Sequence, residues 1–129
     1  MKIEHKKCLV IGMGKSGLAV AKQLKLLGAE VVISDRKHRE ELSRQIRELD
    51  CFDITILTGN DYNILPKDVN LVVISPGVPL ETLPIQKAYA NKIPVISEIE
   101  LAYQLTQAPI VAITGTNGKT TTTSLIDQI

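Results

Sequence analysis

Alternation is the feature that most constrains this chain. Short apolar runs rich in β-branched residues, CLVIG (8–12), EVVISD (30–35), DITILTG (53–59), NLVVISPG (70–77) and IPVIS (93–97), recur with helical patterns between them. A strand that is apolar on both faces needs cover on both faces, and parallel neighbours need crossovers of helical length. The pattern therefore predicts an α/β fold, a Rossmann-like parallel sheet with helices on both faces and right-handed crossovers. Four helices are expected. The first spans Lys15 to Leu27, with Leu18, Ala21, Leu24 and Leu27 as its apolar stripe and Gly28 as its stop. A charged helix follows over 38–49, with Leu42, Ile46 and Leu49 facing inward. Pro84 sits in the first turn of a third, running to about Asn91, and Ser97 with Glu100 forms a capping box for a fourth, running to about Gln104.

A sixth apolar run, IVAIT (110–114), follows Pro109. A domain boundary is expected near Ala108 and Pro109, because five strands complete a sheet before it and one strand, turn and helix cannot bury a core of their own. Residues 1–108 then form the Rossmann-like domain, and 109–129 the start of a second. The unpaired run 110–113 predicts concentration-dependent self-association through 109–129.

Composition narrows the function. With 15 basic and 14 acidic side chains among 129 residues, the net charge is +1, which gives no electrostatic case for nucleic acid or an anionic membrane as partner. Trp is absent and there is one Phe, so stacking on bases or sugars is a poor basis for recognition. The charged start MKIEHKK is no secretory leader, and Cys8 and Cys51 lack metal or redox spacing. Cys8 is expected to be a small buried hydrophobe. A reducing cytoplasm is the expected compartment. His5 and His38 are isolated, and Glu98 and Glu100 are accounted for by the helix dipole and the cap.

Two turns carry phosphate chemistry. GMGKSG (12–17) follows the first strand and opens the first helix, where glycines permit close approach and the helix start offers unpaired N–H groups to an anion. Asp35 ends the second strand about twenty residues on, where a ribose hydroxyl can be held. The simpler reading is a glycine turn needed only for packing, with Lys15 an exposed lysine. GTNGKTT (115–121) places Gly115 and Gly118 so that backbone N–H groups turn inward around Thr116 and Asn117. Lys119 would reach the outer phosphates of ATP, and the hydroxyl of Thr120, followed by Thr121, would ligate magnesium. A third feature, SPGVP (75–79), lies where ligands bind open parallel sheets, though Pro-Gly is also a plain turn signal.

Four elements in this order, GMGKSG, SPGVP, SEIELAY and APIVAITGTNGKTTTT, resemble the N-terminal part of the Mur ligases of bacterial cell-wall synthesis. SPGVP with EIEL points to the D-glutamate-adding branch, with other branches as the alternative. The resemblance implies three domains, of which the first binds UDP rather than NAD and the second binds ATP. It places Gly14, Lys15, Ser16 and Gly17 at the diphosphate, Asp35 and Arg36 by the uridine, and Gly77 near the substrate. The family commonly has Asp-Thr-Arg after strand two, and this chain departs from it with Asp35-Arg36-Lys37. The implied partners are UDP-N-acetylmuramoyl-L-alanine, ATP with Mg²⁺, and D-glutamate, joined through an acyl phosphate, with Lys119 and Thr120 as catalytic residues and Thr120 as metal ligand. On that reading the chain is an N-terminal fragment, inactive alone. The competing reading is an NAD-binding Rossmann module, which leaves GTNGKTT without a role.

Overall fold

The computed structural model describes residues 2–105. Five strands form one parallel sheet in the order β3-β2-β1-β4-β5. They are β1 (Lys7–Ile11), β2 (Glu30–Asp35), β3 (Ile54–Thr58), β4 (Leu71–Ile74) and β5 (Val95–Ser97). The helices are α1 (Lys15–Leu26), α2 (Ser43–Glu48), α3 (Leu83–Ala90) and α4 (Glu98–Leu105), with 3₁₀ turns at Arg39–Leu42 and Gly59–Asn63. β1 is central because both its neighbours pair with it, and its residues from Cys8 to Ile11 are fully buried. Period-two alternation sends its side chains to two cores. Cys8 and Val10 pack with Leu18, Ala21 and Leu24 of α1, with Leu42 and Leu49, and with Leu101 of α4. Leu9 and Ile11 pack with Val32, Val72 and the α3 residues Ile85 and Ala88. Helices thus cover both faces.

The helices depart from expectation in instructive places. α1 ends where Gly28 adopts φ +93°, but Leu27 is 38% exposed rather than part of the stripe. Three residues fall short of a helical turn by about 60°, so after three such steps Leu27 stands on the far side from Leu18. The expected helix over 38–49 is split: a 3₁₀ turn ends on Leu42, which leaves α-helical geometry at φ −109° and ψ 14°, and α2 follows. Leu42 and Leu49 are buried as expected, and Ile46 is half-buried against the same core. On the surface Lys22 of α1 reaches Glu48 of α2 at 2.9 Å, and that hydrogen bond holds the Glu48 carboxyl below its usual range. No helix among the described residues is long and apolar enough to cross a membrane.

Candidate functional site

The strand order reverses direction at β1. The chain winds from β1 outward to β3, then returns to place β4 on the other side of β1. The loops leaving β1 and β4 therefore diverge to opposite faces and leave a crevice at the carboxyl ends of the strands. A cleft of about 450 Å³ occupies that place. Gly12, Met13, Gly14 and Ser16 line it from the β1 side, Asp35, Arg36 and Lys37 from the end of β2, and Ser75, Gly77, Val78 and Thr82 from the β4 side, with Tyr62 also at its wall. A larger depression of about 630 Å³ lies around Lys7, Glu30 and Asp53 at the opposite ends of the strands, away from the glycine turn 12–17.

Backbone hydrogen bonds fix the mouth of the cleft. The Gly12 N–H donates to the Ser34 carbonyl at 2.7 Å, and the Ser75 N–H donates to the Ile11 carbonyl at 3.1 Å, so the ladder continues past the strand ends. Gly12 has φ +110°, a conformation suited to glycine, and a Cβ there would stand 2.8 Å from Ser75 Oγ. A Cβ on Gly17 would stand 2.0 Å from the Gly12 carbonyl oxygen, so Gly17 lets α1 press against the turn. Gly14 differs. It is the residue before α1, extended at φ −73° and ψ 179°, with no side-chain cap and no acidic residue in the first helical turn. The helix start keeps its positive end facing the cleft. Among the described residues, apart from its own chain neighbours, nothing lies within 4 Å of where a Cβ of Gly14 would be, and the same holds for Gly77, at φ +88°.

Asp35 has a task that its position alone does not reveal. Its Oδ2 accepts from the Met13 N–H at 2.9 Å and its Oδ1 from the Lys37 N–H at 2.9 Å. The carboxylate thus ties the glycine turn to the end of β2. Each oxygen keeps a second lone pair for a hydroxyl donor.

Of the residues expected at the nucleotide, Gly14, Ser16, Asp35, Arg36 and Gly77 come together at the cleft. Lys15, exposed, and Gly17, buried, do not line it. Val78 lines it as part of SPGVP, and Tyr62 and Thr82 line it without any sequence motif to announce them. The capping box is half formed: the Glu100 N–H donates to Ser97 Oγ at 3.1 Å, but the Glu100 carboxylate accepts from Gln104 at 3.4 Å. Glu98 accepts a hydrogen bond from Ser75, a link that the dipole reading of Glu98 misses. Cys8 is no nucleophile, since burial pushes its thiol up from 9.0 to about 11, against a smaller opposite pull from Lys6. Among the described residues no group of three metal-ligating side chains occurs. The boundary near Ala108, the strand 110–113, the loop Gly115–Thr121 with Lys119 and Thr120, and any association through 109–129 lie outside the described residues.

A parallel sheet with a glycine turn at its topological switch point defines a Rossmann-like fold class. Within that class the chain belongs to the Mur ligase family: the family model Mur ligase MurD-like, N-terminal domain, matches residues 6–97. The chain is 46% identical over 131 residues to the UDP-N-acetylmuramoylalanine–D-glutamate ligase of Geobacter sp. (strain M21) and 47% identical over 125 residues to that of Pelotomaculum thermopropionicum. These alignments cover 100% and 97% of the chain, which spans 28% of the length of either relative. Among solved structures, UDP-N-acetylmuramate-alanine ligase from Thermotoga maritima superposes with a TM-score of 0.63 at 23% identity, over 78% of this chain and 22% of that one. Shikimate dehydrogenase from Aquifex aeolicus gives 0.54 at 18% identity, over 78% and 45%. At these identities the two superpositions speak for the fold alone.

Proposed function

We propose that this chain supplies the UDP-binding part of an ATP-dependent ligase that joins D-glutamate to UDP-N-acetylmuramoyl-L-alanine in peptidoglycan synthesis. The observation that carries the reading is the cleft itself, where two glycines leave open space beside an uncapped helix start. The names of the relatives support the choice of substrate and of amino acid. The diphosphate lies at Gly14, Lys15 and Ser16, and Gly17 contributes by letting the helix approach. Asp35 and Arg36 face the uridine, and Gly77 lets the substrate meet the backbone.

Residues 1–108 form this domain and 109–129 begin an ATP-binding one. There Gly115, Thr116, Asn117, Gly118 and Thr121 surround the phosphates, while Lys119 and Thr120, the latter with Mg²⁺, offset charge on the transferring phosphoryl group. ATP supplies the phosphoryl group that activates the substrate carboxylate for attack by the amine of D-glutamate. The enzyme works in the cytoplasm without NAD. The 129-residue chain binds the UDP moiety, makes no amide by itself and self-associates through 109–129.

Calorimetric titration with UDP, UDP-N-acetylmuramoyl-L-alanine and NADH, side by side, tests the reading. Binding of both uridine compounds and not of NADH is expected. NADH binding alone overturns it, and amide formation by the isolated chain overturns the division of labour.

A further inference from the structure

We propose that Glu98 is a positioning residue for the glycine turn and acts on it through Ser75. The claim rests on the nucleotide reading for its ligand, but its geometry stands apart from that reading. Ser75 leaves the end of β4, and its Oγ donates to Glu98 Oε1 at 2.5 Å, the short distance of a charge-assisted hydrogen bond. That hydroxyl fills the space beside two glycines. It lies 2.8 Å from where a Cβ of Gly12 would be and 3.1 Å from where one of Gly17 would be. Gly12 and Gly17 begin and end the turn, so the serine is a wedge that sets how closely α1 can approach β4.

Glu98 holds the wedge from outside the cleft. It is the first residue of α4 and lines the groove between α1 and α4 with Val20 and Leu101, whereas Ser75 lines the cleft. An acidic residue at a helix start is favourable without any partner, so the dipole alone would leave Glu98 free in solvent. Its hydrogen bond to a serine 23 positions earlier assigns it a second task. Glu98 thus joins α4, which leads toward the second phosphate loop of the sequence, to the turn that receives the diphosphate.

The test uses the 129-residue chain, UDP as the probe, and the variants Glu98→Ala, Glu98→Gln, Ser75→Ala and the Ala/Ala double variant. Glu98→Ala and Ser75→Ala are each expected to weaken UDP about fivefold, and the double variant no more than either, because both remove one shared bond. Glu98→Gln keeps an acceptor for the Ser75 hydroxyl and is expected to restore most of the affinity. Without UDP, the amide NMR signals of Gly12, Gly14 and Gly17 shift in Glu98→Ala and return toward their original positions in Glu98→Gln. A thermal melt of each variant separates these effects from unfolding.

Unchanged or tighter UDP binding in Glu98→Ala overturns the proposal, as do additive losses in the double variant. UDP that fails to bind the unaltered chain overturns the nucleotide reading instead. The glycine amide signals then decide the role of Glu98 by themselves.

Discussion

The turn after β1 and the turn after β4 both carry glycine, for reasons that differ from one glycine to the next. Gly12 and Gly17 are pressed by protein: a Cβ on the first meets Ser75 and a Cβ on the second meets the Gly12 carbonyl. Gly14 and Gly77 are pressed by nothing within 4 Å among the described residues, yet both line the cleft. The first pair serves the fold. The second pair, on the proposed reading, keeps room for the ligand. A glycine-rich motif is therefore two motifs interleaved, and only the space around each position separates them.

Three substitutions can break that division. Gly17→Ala has the largest expected effect, because its methyl would stand 2.0 Å from a backbone oxygen that cannot move without shifting β1 or α1. A loss on the order of 3 kcal/mol is expected, read as a lower urea midpoint at unchanged slope. Near-normal stability would remove Gly17 from the packing pair. Gly77→Ala comes next. Its φ of +88° strains any L side chain, so about 1 kcal/mol of stability is lost, and UDP affinity falls further than that strain explains. Affinity that stays at the level of the unaltered chain would make Gly77 a turn residue only. Gly14→Ala has the smallest effect on folding, about 0.5 kcal/mol, since its extended backbone suits any residue and alanine is merely a poorer helix cap. Its UDP affinity is nevertheless expected to drop several-fold in the same titration. A variant as tight as the original would close the case against an open glycine.

Much of the fold is legible in the sequence because burial on two faces leaves a strong mark. β2 to β5 each lie within an apolar run, and β1 starts one residue early at Lys7. The split before α2 is harder to see, since Leu42, Ile46 and Leu49 all fall on α2 and its two flanking residues, and their spacing says nothing of the 3₁₀ turn that ends on Leu42. The site is legible where a motif marks it, as at Gly14 and Ser16. Tyr62 and Thr82 carry no local signal, because their place at the cleft depends on the crossover from β3 to β4 and on the entry to α3. Asp35 is legible as a position but not as a contact. Its spacing after the glycine turn suggests a sugar hydroxyl, whereas the structure shows both oxygens already bonded to backbone N–H groups. Glu98 is hidden for a similar reason, since its partner Ser75 is distant in sequence.

The carboxylate of Asp35 also gives the cleft a direction. With Met13 and Lys37 already donating to it, it can still receive hydroxyl or imide hydrogens, but it repels a second anion. The start of α1, just beyond the same turn, presents the opposite charge, a positive helix end that favours an anion. On the proposed reading a nucleotide would lie with base and sugar toward Asp35 and its phosphates toward the start of α1, with Arg36 and Lys37 beside Asp35 on the β2 side of the cleft. In that orientation, whatever is attached beyond the diphosphate would leave on the side away from β2.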